Sequence, residues 1–133
     1  MPSAEQQAEI DRYLDTYREL MGFVPPRVAA RFERLTETNP ELLLAQEKVR
    51  NLISYSDAID PKTAQLILFA VLAVQLRDAA KLHGLAARRA GATWEELQAT
   101  LDLAYLFGGT SVTNHSPQIL ADIAELEQRN EAK

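Results

Sequence analysis

One of the two histidines in this 133-residue chain lies in a run of small residues. Three and four positions from His83, in both directions, the sequence has only alanine: Ala79, Ala80, Ala86 and Ala87. In a helix these residues share one face, and a face of small side chains lets a neighbouring helix approach closely. An imidazole with an ordinary pKa of about 6.5 can exchange a proton near neutral pH. His83 is therefore the candidate general acid or base. The alternative is a core histidine whose hydrogen bonds are satisfied.

A carboxylate and a guanidinium stand three residues apart on the predicted third helix. Arg50 could hold the anionic group of a substrate, with Glu47 as the carboxylate of the same site. The alternative is an ordinary i,i+3 pair on a solvated helix surface, which contributes little to stability. The spacing by itself favours the surface pair.

The elements that must position these side chains are predicted to be helices throughout. Apolar residues recur at three- and four-residue spacing, and no stretch alternates apolar and polar residues or carries a hairpin turn signal. Capping residues, prolines and glycines give these segments: Ser3 to Met21, a helix opening at Pro25-Pro26, Pro40 to Tyr55, a helix from Asp60-Pro61, the histidine helix to Gly91, Thr93 to Gly108, and a last helix from Ser116-Pro117. The predicted fold class is all-α, a compact bundle of about six to seven helices forming a single domain over residues 1–133.

The third and fourth helices are the most apolar of these segments. The third is expected to bury one stripe: Leu42, Ala45, Val49, Leu52 and Ile53. The fourth is apolar without a break from Leu66 to Val74, far short of the ~20 residues that span a bilayer. A helix with no solvent face needs a second protein surface, so we expect a homo-oligomer. Between Val74 and Asp78 the sequence fits either a kink or a break, with Asp78 a possible helix cap.

The histidine segment and the helix after it resemble the carboxymuconolactone decarboxylase and alkyl hydroperoxidase D superfamily. Its thiol branch has Cys-x-x-Cys-x-x-x-His, a small-residue run, a glycine, and a helix that begins with Thr or Ser and Glu. The resemblance covers roughly 57–116, from Leu76 through His83 to Thr93-Trp94-Glu95-Glu96 and Gly108-Gly109. Leu76 and Ala79 occupy the cysteine positions, so thiol peroxidase activity is not expected and the chain is more similar to the decarboxylase branch.

The resemblance implies an alkyl hydroperoxidase D-like fold and a proton-transfer role for His83. The early acid of the thiol branch falls at Ala64, and the neighbouring Gln65 could instead bind substrate or orient the histidine. Asn114 and His115 follow the glycine pair where family members close one wall of the pocket, although His115 also fits an exposed residue ahead of a helix cap. The implied activity is that of a cofactor-independent lyase or isomerase on a small carboxylated, lactone-like molecule. The alternative is a non-catalytic oligomer, a dimer-based trimer or hexamer, that binds a small molecule or a protein.

Composition narrows the possible partners. A net charge of −5 argues against nucleic acid and anionic membranes, both of which select clustered Lys and Arg. The absence of cysteine excludes disulfides and thiolate metal sites, and two histidines without His-rich spacing predict no metal and no cofactor. The first residues, Met1 to Gln6, are polar and lack the pattern of a secretion signal, so a cytoplasmic location is expected.

Overall fold

The computed structural model describes residues 1–133 as seven α-helices and no strand, which confirms the all-α prediction. The helices are α1 (Ala4–Met21), α2 (Pro26–Thr38), α3 (Pro40–Ser54), α4 (Pro61–Val74), α5 (Ala80–Arg89), α6 (Trp94–Gly108) and α7 (Thr110–Glu131). None of them is both long enough and apolar enough to cross a membrane.

Five helices start where the sequence predicts them to: α2 begins at Pro26, and the other four, α1, α3, α4 and α6, have a side-chain cap. The Ser3 side chain and that of Gln6 form a reciprocal capping box at α1. Asn39, Asp60 and Thr93 each accept a hydrogen bond from a backbone N–H of the first turn of α3, α4 and α6, at 3.0–3.1 Å. These bonds satisfy backbone donors that a helix start leaves unpaired, so local side-chain chemistry fixes these boundaries.

Two predicted caps are wrong. The last helix begins at Thr110 rather than at Ser116, because Gly109, at φ 82°, already separates it from α6. The Ser116 hydroxyl donates instead to the Val112 carbonyl at 2.7 Å, and Pro117 lies inside the helix. Asp78 does not cap α5 either: the cap position is Ala79, which makes no side-chain hydrogen bond.

The chain divides into two compact units, Met1–Ser56 with α1 to α3 and Asp57–Lys133 with α4 to α7. The first unit has a core of its own: Ile10, Tyr17, Phe32 and Leu43. The second buries a separate set of large side chains: Phe69, Leu85, Leu97, Leu101 and Ile123. A single domain over residues 1–133 stays a prediction.

The buried stripe expected on α3 is wrong. Leu42, Val49, Leu52 and Ile53 are each 43–73% exposed, and the residues that α3 buries are Leu43 and Glu47. The reason is that α1 and α2 both pack on the side of α3 that carries these two. Apolar periodicity identified the helix, but it selected the wrong face as the buried one.

At Gly84 the helices α4, α5 and α7 meet closely, as the run of small residues predicts. A Cβ added to Gly84 would lie 2.3 Å from Ile123 Cδ1 and 3.0 Å from Phe69 Cε1. We expect Gly84→Ala to lower the free energy of unfolding by about 1–3 kcal/mol, because overpacking outweighs the better helix propensity of alanine.

The clash at Gly84 predicts a specific coupling with Ile123. Ile123→Val removes the Cδ1 atom and should cost about 0.5–1.5 kcal/mol alone, yet it should make Gly84→Ala less damaging. Urea unfolding of the two single variants and the double variant measures this coupling. Strictly additive losses would contradict the predicted contact.

Candidate functional site

His83 and Gln65 form a hydrogen-bonded pair in the second unit. The His83 Nδ1 atom lies 2.8 Å from Gln65 Oε1; the imidazole is half-buried and Gln65 is buried. Because a carbonyl oxygen can only accept, the proton of this bond belongs to Nδ1. The neutral ring therefore has Nε2 as its basic nitrogen. Since Nδ1–H donates to Gln65 in either charge state, proton exchange falls to Nε2.

The turn between α4 and α5 returns the chain so that these two side chains meet. Leu76 is the one non-glycine residue with a positive φ, at 56°. Its N–H donates to the Ala73 carbonyl at 3.1 Å, and that of Arg77 donates to Leu72 at 3.0 Å. A left-handed leucine costs on the order of 1–3 kcal/mol and persists where surrounding contacts fix it. The Val74–Asp78 segment is therefore a break, and it reverses the chain.

Arg88 fixes the other end of α5. Its Nε atom donates to Glu127 Oε1 of α7 at 2.6 Å, and Nη1 donates to the Ala92 carbonyl at 2.8 Å. The guanidinium also lies 4.3 Å from the centre of the Trp94 ring at the start of α6. One side chain thus ties the end of the histidine helix to both of the helices that come after it.

Glu47 and Arg50 lie in the first unit, in a cluster that the sequence does not predict. Glu47 is 1% exposed, so the expected surface pair is wrong. Its Oε1 atom accepts from the Tyr17 hydroxyl at 3.0 Å and from Arg31 Nη2 at 2.5 Å. Its Oε2 atom is buried without a hydrogen bond, 3.6 Å from Arg50 Nη1. Sequence reasoning missed Tyr17 and Arg31, which lie 30 and 16 positions away from Glu47 and carry no local signal.

The Arg50 side chain is partly exposed, at 21%. Its Nη1 atom donates to Thr16 Oγ1 at 3.2 Å, and its Cζ atom lies 3.8 Å from the centre of the Tyr17 ring. A guanidinium held over an aromatic ring and by a hydrogen bond is ordered before any ligand arrives, which suits the binding of a carboxylate.

Burial raises the pKa of Tyr17 from its ordinary 10.0 to about 12, and the nearby Glu47 carboxylate acts in the same direction. Between pH 10 and pH 12 the unfolded chain has therefore lost this proton while the folded chain keeps it. The contribution of this proton to the free energy of unfolding should be fully present below pH 10. The free energy of unfolding should then fall by about 2–3 kcal/mol as the pH rises to 12. Urea unfolding across this range measures the fall, and Tyr17→Phe should remove that part of the pH dependence. An equal alkaline loss in Tyr17→Phe would contradict the assignment.

Asn114 and His115 lie on the exposed side of α7, in the interior of the helix rather than in a loop. The His115 Nδ1 atom is 2.8 Å from the Ser111 carbonyl one turn earlier. The structure thus joins His83 of α5 to Gln65 of α4 and leaves Asn114 and His115 on a different helix. The predicted exposure of His115 is confirmed, but its place ahead of a helix cap is wrong.

The structure holds no group of three or more His, Asp or Glu side chains that could bind a metal ion. Two open clefts, of about 370 and 350 Å³, lie in the first unit. The larger has an apolar floor that includes Ile10 and Phe32, and the smaller is lined by Tyr13, Lys48, Asn51, Leu52 and Tyr55. Neither of these two clefts includes His83, which is half-buried in the second unit.

The comparison with protein families gives one match. A family model described as the carboxymuconolactone decarboxylase family matches residues 40–122. This range contains α3 to α6, the first part of α7 and all six candidate site residues. The curated proteins and the solved structures compared with the chain include no match.

Proposed function

The chain belongs to the carboxymuconolactone decarboxylase family, and from this we propose that it is a cofactor-independent decarboxylase or isomerase of a small carboxylated, lactone-like molecule, with His83 as general acid and base. The observation that carries the proposal is the hydrogen bond between His83 Nδ1 and Gln65 Oε1, at 2.8 Å. It assigns the tautomer and fixes the orientation of the only half-buried histidine.

In the proposed decarboxylation, the bond between the carboxylate carbon and the ring breaks and carbon dioxide leaves. The electron pair of that bond moves into a conjugated carbonyl and forms an enolate. Protonated His83 then gives the proton on Nε2 to the carbon, and the enolate collapses to the product. The neutral ring regains its proton from solvent, so the cycle needs neither oxidant nor metal.

Neutral donors can stabilise the enolate while it exists. The Gln65 carbonyl is engaged with His83, but its amide N–H groups can donate to the enolate oxygen. Asn114 and His115 remain proposed substrate-binding residues, from the sequence resemblance alone. A donor already ordered by its contact with the catalytic ring loses little entropy on reaction, which favours Gln65 for this role.

Arg50 is proposed to bind the carboxylate of a substrate, and Glu47, as the buried carboxylate of the same site, is proposed to orient Arg50. Glu47 forms an ion pair with Arg31 and lies beside Arg50, and the partly exposed Arg50 side chain supplies the positive charge. If Arg50 binds the substrate carboxylate in both the ground state and the transition state, Arg50→Met should raise KM and leave kcat nearly unchanged. A lower kcat with the same KM would contradict a binding role.

The test of the proposed function is turnover. Purified protein is incubated with carboxymuconolactone and related carboxylated lactones, and release of carbon dioxide and loss of the conjugated absorbance are followed. We expect catalysed release that His83→Asn abolishes, since asparagine fills similar space but cannot exchange a proton. Release at the rate of the buffer control, or equal release by His83→Asn, would overturn the proposal.

A second candidate function is binding without catalysis. It is favoured by the absence of cysteine and by Ala64 at the position of the thiol branch's acid. In that case small carboxylates should raise the thermal midpoint of the wild type but not that of His83→Ala, and none should be turned over. Turnover of any of these carboxylates by the wild type would reject this candidate.

The protein is further proposed to act in the cytoplasm as a homo-oligomer, a dimer-based trimer or hexamer. The support for assembly is the apolar surface that the helices leave exposed, including Phe107 at 97%. Phe107 lies beyond the buried residues of α6, the last of which is Ala104. Sedimentation of the purified chain measures the assembly, and cell fractionation tests the location.

A further inference from the structure

We propose that the chain pairs with a second copy through one face of the second unit, formed by α4 and α6. This deepens the proposed homo-oligomer by naming the surface, and it rests on that proposal but not on catalysis. The face, called here the α4–α6 face, consists of six exposed apolar side chains: Ile67, Val71, Val74, Leu103, Leu106 and Phe107.

These side chains lie on two helices that pack against each other. Ile67, Val71 and Val74 are spaced by four and three residues, so they follow one stripe along α4, opposite the buried stripe that contains Phe69. At the end of the stripe, Val74 Cγ2 lies 3.2 Å from where a Cβ on Gly108 would stand. The end of α4 therefore meets the end of α6, next to Phe107.

The α4–α6 face has the area and the chemistry of an interface. Its side chains are 42–97% exposed and together present on the order of 700 Å² of surface, close to the ~800 Å² per partner of a standard interface. No charged residue occurs between Lys62 and Arg77, so the α4 stripe offers no ion pair to a charged partner. An uncharged helical stripe is best covered by another uncharged helical stripe.

A second copy fits this stripe because its residues are symmetric about Val71 to within one position. If α4 crosses its copy in an antiparallel arrangement with Val71 on the twofold axis, Val71 meets the partner's Val71. Ile67 then faces position 75 of the partner, one residue beyond the partner's Val74, and the reverse contact is identical, as a twofold interface requires. The exposed stripe on α3 lacks this support: it is a single helix edge without a second helix to widen it.

Because the chain has no cysteine, an introduced cysteine can test whether Val71 lies on the proposed twofold axis. In the otherwise cysteine-free chain, Val71→Cys can form a disulfide only with its own copy, and only where the two Cα atoms come within about 7 Å. Val49→Cys is the matched control, since Val49 is a similarly exposed valine on α3, at 56% against 47% for Val71. Both substitutions are at exposed positions, and circular dichroism checks that each variant is folded.

At micromolar concentration under mild oxidation, we expect Val71→Cys to form a covalent dimer at least about 100-fold faster than Val49→Cys, because pairing raises the effective thiol concentration to the millimolar range. Val71→Glu should in addition lower the sedimenting mass, whereas Val49→Glu should not. A monomeric wild type would overturn both the oligomer and the surface. An oligomeric wild type in which Val71→Cys reacts no faster than Val49→Cys would overturn the surface alone. Turnover of the lactones by the wild type is measured in a separate experiment. Failure of the proposed surface can therefore be distinguished from failure of the proposed catalytic function.

Discussion

Replacing His83 with alanine is expected to lower kcat for decarboxylation by about 10²- to 10⁴-fold, the usual contribution of a positioned general acid or base. The imidazole is half-buried and oriented by Gln65 at 2.8 Å, and alanine supplies no group that could exchange the proton in its place. Binding of the substrate should be less affected, because the proton is needed only after carbon dioxide has begun to leave. Steady-state kinetics on a lactone that the wild type turns over measures the change.

The control for His83 is on the same helix. Lys81→Ala removes a side chain two positions away without touching the pair formed by His83 and Gln65, and it should leave kcat near the wild-type value. Circular dichroism and thermal midpoints establish that both variants are folded. If Lys81→Ala lowers kcat as much as His83→Ala does, the loss reflects helix packing rather than proton transfer.

Two variants of Gln65 test whether its role is to orient the His83 ring. Gln65→Glu keeps an acceptor for Nδ1–H but adds a negative charge, which stabilises the imidazolium and should move the pH profile of kcat upward. Gln65→Leu keeps the volume but removes the acceptor, so the ring loses its fixed tautomer and kcat should fall. A purely structural Gln65 would change stability in these variants and leave the pH profile where it is in the wild type.

Local chemistry made most of the fold predictable from the sequence. A cap side chain and the N–H groups it binds lie within three residues, so Ser3, Asn39, Asp60 and Thr93 could be recognised without tertiary information. The same reasoning failed at Ser116, where a serine before a proline imitates a helix start inside a continuous helix. What decides that position is Gly109, seven residues earlier, and the burial of the serine hydroxyl against its own helix.

From residue spacing alone, the candidate site was predictable only where residues share one helix face, and the family resemblance added Gln65 as a residue that could orient His83. The small residues around His83 indicated close helix packing, and the lack of room for a Cβ at Gly84 confirms it. The pairing of His83 with Gln65 depends on the left-handed turn at Leu76, a conformation that leucine gives no reason to expect. Long-range contacts are the part that sequence periodicity does not contain.

Glu47 illustrates the same limit and leads to the second large effect. The spacing of Glu47 and Arg50 favours a surface pair, yet the carboxylate is buried and bound by residues from α1 and α2. Glu47→Ala should lower the free energy of unfolding by about 3 kcal/mol, because it leaves the Tyr17 hydroxyl without its acceptor and two arginines without their counter-charge. This is near the lower end for a broken buried ion pair, since Arg31 and Arg50 are 34% and 21% exposed and partly solvated.

Urea unfolding of three variants tests whether Glu47 acts through its charge. Glu33→Ala, an exposed carboxylate on α2, should change the free energy of unfolding by no more than about 0.5 kcal/mol. Glu47→Gln keeps an oxygen that can accept from Tyr17 and Arg31 but loses the charge, so its loss should lie between those of Glu33→Ala and Glu47→Ala. Equal losses for Glu47→Ala and Glu33→Ala would mean that the cluster contributes nothing to the fold. Since Glu47 is 1% exposed, a large loss with unchanged turnover would mark it as a support for Arg50 rather than a group that touches substrate.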